Sequence, residues 1–152
     1  MKAPIWVAAI AALVVAAGLG AYFALDRGPS DPRSDPAFLV KGERVYAEFC
    51  AACHGANLEG QPDWRIRKPD GRLPAPPHDA TGHTWHHPMP DLFALTKYGL
   101  ARFAGPNYQS DMPAFEGRLS DDEIWAVLAY IHSRWPDDIK SRYAQIDRRR
   151  LQ

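Results

Sequence analysis

The sequence contains very little cysteine and has no net charge. Its two cysteines in 152 residues exclude a structural zinc site, which would need a second Cys/His pair at matching spacing. The pattern of alternating strands and helices that surrounds a thioredoxin-like dithiol is also missing. Since 18 basic residues balance 18 acidic ones, charge gives no argument for a nucleic acid or an acidic substrate as partner.

Both cysteines belong to one motif, CAACH at residues 50–54. Thiols three positions apart can each add across a vinyl group of one haem, and the adjacent imidazole then falls over the iron. The motif therefore predicts one haem c, attached covalently through Cys50 and Cys53, with His54 as an iron ligand.

The first 25 residues are apolar apart from Lys2. Residues 5–25 contain no ionisable group except Tyr22, and a helix of that length rises about 31 Å, enough to cross a bilayer. The apolar region of a cleaved signal peptide is shorter, about 7 to 15 residues, although residues 16–20 offer weak cleavage sites. We predict an uncleaved transmembrane anchor over residues 1–25, with its amino end inside and the rest of the chain exported.

A polar segment, residues 26–35, follows the predicted anchor. Gly28, Pro29 and Pro32 break any helix there, so the segment is expected to be a flexible linker. Fully stretched, it reaches only about 35 Å, which keeps the next domain close to the membrane. Residues 36–136 suit one small domain with a limited core, to which a covalently held haem would contribute a large share.

The first helix of this domain is predicted to begin with Asp35 as N-cap and Pro36 at its first position. Its apolar face then leads into the haem motif and consists of Phe38, Gly42, Val45, Tyr46 and Phe49. A glycine in mid-helix costs about 1 kcal/mol relative to alanine. Gly42 therefore predicts that something large packs close against the helix backbone.

Two further main helices and a C-terminal one are expected. Residues 90–99 form a short helix ended by glycine, and residues 101–111 a loop. Ser120 and Glu123 make a capping box at the start of a third, strongly amphipathic helix that ends at Pro136. Residues 137–152 are predicted to form a short helix and a basic tail.

Gly42, Tyr46 and the CAACHG run resemble the opening of a class I cytochrome c. In that family a glycine and an aromatic residue at these positions pack across a C-terminal helix, where Val127 and Tyr130 match the expected pair. The resemblance implies an all-α class I cytochrome c fold over residues 36–136, with three main helices around one haem.

The segment from Gln61 to Pro90 has no periodicity and holds seven of the fourteen prolines, so it is expected to wrap around the haem. By the same resemblance, a proline carbonyl here accepts a hydrogen bond from the axial histidine. The sequence does not show which residue of the run at 74–77 provides this carbonyl, and Pro76 and Pro77 are the candidates.

The resemblance also makes four residues of this segment candidates for holding a haem propionate: Trp64, Arg65, Arg67 and Trp85. For each residue taken singly, a tryptophan in the core or an arginine in solvent is an equally good interpretation.

A second feature of the segment is a cluster that would suit copper, with His78, His83, His86, His87 and Met89. Hydrogen bonds within the loop, or exposure to water, are the default for these histidines.

Met112 follows His54 by 58 residues, and its surroundings, SDMPAF, resemble the methionine loop of the family. The resemblance implies Met112 as the sixth iron ligand, which suits a carrier of raised reduction potential. The competing ligands are Met89, His83, His86 and His87.

The resemblance as a whole implies a membrane-anchored monohaem cytochrome c of the bacterial inner membrane, with its haem domain on the periplasmic side. Such a protein is no enzyme and carries single electrons between membrane redox complexes of a respiratory or related chain. Neither a nucleic acid nor a small-molecule substrate is expected. Three other functions stay open: a haem subunit of a dehydrogenase or oxidase, a copper-handling protein, and a haem sensor or peroxidase-like protein if Met112 is not a stable ligand.

Overall fold

The computed structural model describes residues 34–105 and 107–149. The predicted anchor, residues 1–25, lies outside the described residues, and so does the predicted linker except for its last two residues. Within the described ranges, no helix is long and apolar enough to cross a membrane.

The described part of the chain is helical and contains no β-strand, which confirms the predicted all-α class. Its α-helices are α1 (Pro36–Phe49), α2 (Ala51–His54), α3 (Met89–Tyr98), α4 (Ala101–Ala104), α5 (Asp121–Ser133) and α6 (Asp137–Arg149). A single turn of 3₁₀-helix, Thr84–His86, interrupts the long segment between α2 and α3.

Helices α1 and α5 begin where the sequence predicts. The side chain of Asp35 accepts a hydrogen bond from the N–H of Ala37 at 2.9 Å. At α5, the Ser120 hydroxyl accepts from the N–H of Glu123, while the Glu123 carboxylate accepts from the N–H of Ser120 at 2.8 Å. The Ser120 hydroxyl also donates to the Glu123 carboxylate at 2.7 Å, and this bond, together with that from the Ser120 N–H, lowers the pKa of Glu123.

Three boundaries differ from the sequence-based prediction. Helix α5 ends at Ser133, before the predicted end at Pro136. Helix α3 begins at Met89, one residue early, and Pro88 in the capping position provides no side-chain acceptor. It ends at Tyr98 and is capped, as predicted, by Gly99, whose φ of 82° suits glycine. Helix α4, Ala101–Ala104, occupies the start of the predicted loop 101–111. The sequence did not predict this helix because a single turn is too short to produce an apolar repeat.

The core is built where α1 crosses α5 at Gly42. A Cβ atom on Gly42 would lie 2.0 Å from the carbonyl oxygen of Ala126 and 2.9 Å from the Cβ of Tyr130. Beside this crossing, the rings of Tyr46 and Tyr130 lie 5.6 Å apart, and Val127 is buried. The predicted close packing against Gly42 is thus confirmed.

The C-terminal helix α6 packs onto the same core. Ile139 and Tyr143 are buried, and the Tyr143 ring lies 5.1 Å from that of Trp135, just beyond α5. At the other end of α6, Asp147 accepts a hydrogen bond from the N–H of Met89 at 3.4 Å. The last three residues of the predicted basic tail, 150–152, lie outside the described part.

Candidate cofactor site

The CAACH motif forms the junction of two helices. Cys50 ends α1, and the N–H groups of Cys53 and His54 donate to its carbonyl at 3.1 and 2.9 Å. This single helical turn places both thiols and the imidazole close together, and both cysteines are free. Burial, with a smaller contribution from Cys53, raises the pKa of Cys50 to about 11, so its thiol stays neutral.

His54 is buried, and its imidazole is fixed by the backbone of Pro76. The ring Nδ1 lies 2.8 Å from the carbonyl oxygen of Pro76. A carbonyl only accepts, so Nδ1 carries the proton and Nε2 has the lone pair that a metal ligand needs. Burial lowers the pKa of His54 and favours the neutral ring, although the bond to Pro76 acts in the opposite direction.

The proline run reaches His54 through close backbone packing. A Cβ on Gly60 would lie 2.5 Å from the nitrogen of Pro77, and the N–H of Gly60 donates to the carbonyl of His54 at 2.7 Å. On its other side, the Pro77 carbonyl oxygen lies 2.0 Å from the position of a Cβ on Gly82. Two glycines therefore let the chain enclose Pro77, and the carbonyl of Pro76 then faces the imidazole.

The two predicted tryptophans contact different histidines of the loop. Trp64 stacks on His83 with ring centroids 5.4 Å apart, and the guanidinium of Arg65 lies 3.9 Å above the Trp64 ring. Trp85 stacks on His86 at 3.7 Å, and its indole Nε1 is buried with no hydrogen-bond partner in the described structure. Arg65 thus covers Trp64, while Trp85 holds an unsatisfied donor.

Ion pairs connect the loop that contains Met112 to the segment between the haem motif and α3. Asp111, next to Met112, pairs with Lys68 and with Arg72, the latter at 2.6 Å. Both cations hold the pKa of Asp111 below its usual range. Met112 itself is partly buried against the core, whereas Met89, the competing thioether, is a fully enclosed core residue.

The sequence model of the family described as cytochrome c matches residues 39–135, more than half of the chain. This chain belongs to the cytochrome c family. Cytochrome c6 from Tetradesmus obliquus is 32% identical over 103 residues, which cover 67% of this chain and 97% of that protein. No solved structure matches.

Longer relatives match through a part of their length only. The cbb3-type cytochrome c oxidase subunit FixP from Bradyrhizobium sp. (strain ORS 278) is 32% identical over 92 residues, 60% of this chain and 26% of that protein. Thiosulfate dehydrogenase from Stutzerimonas stutzeri (strain A1501) is 28% identical over 127 residues, 81% of this chain and 36% of the dehydrogenase. The chain thus spans about a quarter of the length of FixP.

Haem c is the cofactor of the cytochrome c family, and the described residues fit it. Two free thiols and the lone pair of His54 lie within one helical turn. A buried donor without an acceptor, such as Nε1 of Trp85, is costly, and a haem propionate would satisfy it. The Nε of Arg72 is a second such donor, which the sequence alone does not single out.

The copper hypothesis gains no support from this cytochrome c fold. Among the described residues, no group of three or more His, Cys, Asp or Glu side chains could hold a metal ion. Two members of the predicted cluster have other surroundings. Met89 is buried in the core, and the His78 ring stacks on that of His54 with ring centroids 4.0 Å apart. The contact between His78 and His54 was not predicted from the sequence, because the two residues are 24 positions apart.

We expect Trp85→Phe to lower the reduction potential by tens of millivolts while the haem stays attached. Phenylalanine retains a ring against His86 but removes the N–H donor. A propionate that loses this donor keeps more of its negative charge, which stabilises ferric over ferrous iron. Spectroelectrochemical titration measures the change. The matched control is Trp125→Phe, which alters a tryptophan stacked on Phe93. Equal potentials in all three proteins would contradict a role of Trp85 as donor to a propionate.

Proposed function

We propose that this chain is a monohaem cytochrome c that carries single electrons between membrane redox complexes of a respiratory or related chain. The observation that carries the proposal is the imidazole of His54, held neutral and fixed to Pro76 within the turn that bears both cysteines. When bound, haem c supplies a one-electron change in the oxidation state of its iron.

In this proposal each residue of the site has one role. Cys50 and Cys53 would hold the haem through two thioether bonds, and His54 and Met112 would be the protein ligands of its iron. Two protein ligands leave no open position on the iron for a substrate, which favours a carrier over an enzyme. The carbonyl of Pro76 keeps the Nδ1 proton of His54 in place and so orients the ligand.

The propionate-binding role is proposed for Trp85 first. Its buried donor lacks a partner, whereas the Trp64 ring contacts both the Arg65 guanidinium and the His83 ring. Trp64 and Arg65 remain candidates because a guanidinium over an indole can still direct its outer N–H groups to a carboxylate. Pro77 contributes through its backbone, which packs against Gly60 and Gly82 next to Pro76.

The proposed location is the bacterial inner membrane, with a single span and the haem domain on the periplasmic side. The apolar run at residues 5–25 supports this proposal. Residues 1–25 would be the anchor, 26–35 the linker, 36–136 the haem domain and 137–152 the C-terminal helix and tail. The short linker would keep the haem near donor and acceptor complexes held in the same membrane.

The test uses the full chain with its haem attached. The ferric protein should have the weak far-red charge-transfer band that marks methionine sulfur on iron, and membranes containing its redox complexes should reduce and reoxidise it. If the band is absent and cyanide or carbon monoxide binds fast, the sixth position is open. That result would favour a sensor or peroxidase-like protein instead.

A second candidate is a fixed haem subunit of an oxidase or dehydrogenase. The relatives named as subunits of cbb3-type oxidases favour it, since one of them is 33% identical over 100 residues. The haem chemistry is the same in both cases, but a fixed subunit should co-purify in constant ratio with its complex after detergent extraction. A carrier should separate from its partners as salt rises, because its brief contacts bury little surface and salt screens the exposed charges across them.

We expect the double variant Cys50→Ser, Cys53→Ser to contain no covalent haem and to lose most of its folded structure. The segment between α2 and α3 has only one turn of 3₁₀-helix and little apolar material of its own, so the haem supplies much of its interior. Haem staining of a denaturing gel measures attachment, and far-ultraviolet circular dichroism measures helix content. A folded, haem-free variant would contradict this view of the core.

A further inference from the structure

His78 contacts the proposed axial ligand directly. Its ring stacks on that of His54 with centroids 4.0 Å apart and planes inclined by 21°. A third ring, Tyr46, meets His78 at 72° and 6.4 Å, and the Tyr46 hydroxyl donates to the carbonyl of Gly55 at 2.8 Å. His78 therefore lies against the flat face of His54 and is itself backed by a buried tyrosine.

The backbone of His78 is held from two sides. Its N–H donates to the carbonyl of Leu58 at 2.7 Å, and its carbonyl accepts from the indole N–H of Trp135 at 2.7 Å. Leu58 has a φ of 72°, a left-handed conformation that leucine rarely adopts, and its side chain is buried. Trp135 is buried as well, and it packs against Tyr143 of α6.

The ring of His78 is fixed separately from its backbone. Its Nδ1 lies 2.7 Å from the hydroxyl oxygen of Thr84, which is buried in the 3₁₀-helix. This bond restricts rotation of the ring about its own side-chain torsions. The face turned to His54 therefore stays in one orientation.

The two restraints on His54 act on different motions. The hydrogen bond to Pro76 sets the direction of Nδ1 but tolerates considerable tilt of the ring about that bond. A flat ring stacked on the imidazole face opposes this tilt. Only the two together define the imidazole plane.

We infer that His78 is a positioning residue that, together with the carbonyl of Pro76, fixes the plane of the His54 imidazole. The inference rests on the proposed role of His54 as axial ligand. Partners around a metal-binding histidine are known to fix its ring orientation and to tune the metal. Here the partner acts through a ring face as well as through the usual hydrogen bond.

The ferric haem offers a direct readout of this orientation. The imidazole plane determines how the iron d orbitals split, and the g values in electron paramagnetic resonance report that splitting. A single orientation gives one set of g values, and a ring free to take several orientations gives broadened or multiple sets. A residue with a merely structural role would change the melting temperature without changing this pattern.

Three variants of the full, haem-loaded chain test the inference. His78→Leu removes the flat face, His78→Phe retains a flat ring, and Thr84→Val retains His78 but removes its anchor. We expect one low-spin signal from the wild type and from His78→Phe, and a split or broadened signal from His78→Leu. Thr84→Val should give a smaller broadening.

Each outcome decides a different point. If His78→Leu gives the same single signal as the wild type, or His78→Phe broadens it as much as leucine does, the inference is overturned. If His78→Leu does not fold, Thr84→Val decides, and an unchanged signal there overturns the inference. A wild type without covalent low-spin haem would instead overturn the proposed function, and this inference with it.

Discussion

Met112→Ala should lower the reduction potential by about 0.1 V or more and leave the haem covalently attached. A thioether ligand stabilises ferrous iron, so its loss favours the ferric state. Since Met112 is the proposed sixth ligand, alanine should open that position, and the variant should then bind cyanide when oxidised and carbon monoxide when reduced. Both thioether bonds depend on Cys50 and Cys53, far along the chain from the substitution, and attachment should be unaffected.

The matched control for this substitution is Met89→Leu. Met89 is the competing thioether, but it is buried in the core on α3. Replacement by leucine conserves volume, so we expect a loss below about 1.5 kcal/mol of stability and no change in potential. A potential that falls in Met89→Leu and stays constant in Met112→Ala would exchange the two assignments. Spectroelectrochemical titration and the far-red band of the ferric form measure both.

The parts of the fold that depend on neighbouring residues could be predicted from the sequence. Asp35 and the pair of Ser120 and Glu123 cap helices with groups two or three positions away, and the structure has these bonds. The close contact at Gly42 was predictable for another reason. A glycine in the middle of a helix costs helix stability, and its presence there indicates a neighbour that packs too closely for a side chain.

The parts that depend on distant residues could not be predicted. Nothing in the run at residues 74–77 identifies Pro76, because its selection results from the close approach of Gly60 to the backbone at residues 76 and 77. The pairing of Asp111 with Lys68 and Arg72 likewise joins two loops that have no regular periodicity. In loops of this kind, tertiary contacts decide which polar groups meet.

Helix α6 lies beyond the match to the cytochrome c family, which ends at residue 135. It is nevertheless connected to the cofactor site through buried rings. Tyr143 packs on Trp135, and Trp135 donates to the carbonyl of His78, whose ring stacks on His54. The stability of α6 and the geometry of the His54 imidazole should therefore be coupled.

Gly42→Ala should destabilise the protein by about 2 kcal/mol or more, although alanine is the better helix former by about 1 kcal/mol. The added Cβ would lie 2.0 Å from the carbonyl oxygen and 2.6 Å from the carbonyl carbon of Ala126. Both are backbone atoms, so no side-chain rotation can relieve the clash, and α1 must move away from α5. Because Val45 and Tyr46 are buried on α1 next to this crossing, the shift also loosens the packing of the core beside the haem motif.

Glu43→Ala is the matched control for this effect. Glu43 is exposed on the same helix, one position along, and its replacement should change stability by less than about 0.5 kcal/mol. Urea unfolding of the haem-loaded proteins, followed by circular dichroism, measures the free energy of unfolding of both variants. The comparison is valid if the free energy falls with urea concentration at the same slope in both. Alanine gains about 1 kcal/mol of helix propensity over glycine and less over glutamate, so a net loss of stability in Gly42→Ala understates the cost of the clash at Ala126. A Gly42→Ala variant more stable than the wild type would mean that α1 and α5 do not cross at this distance.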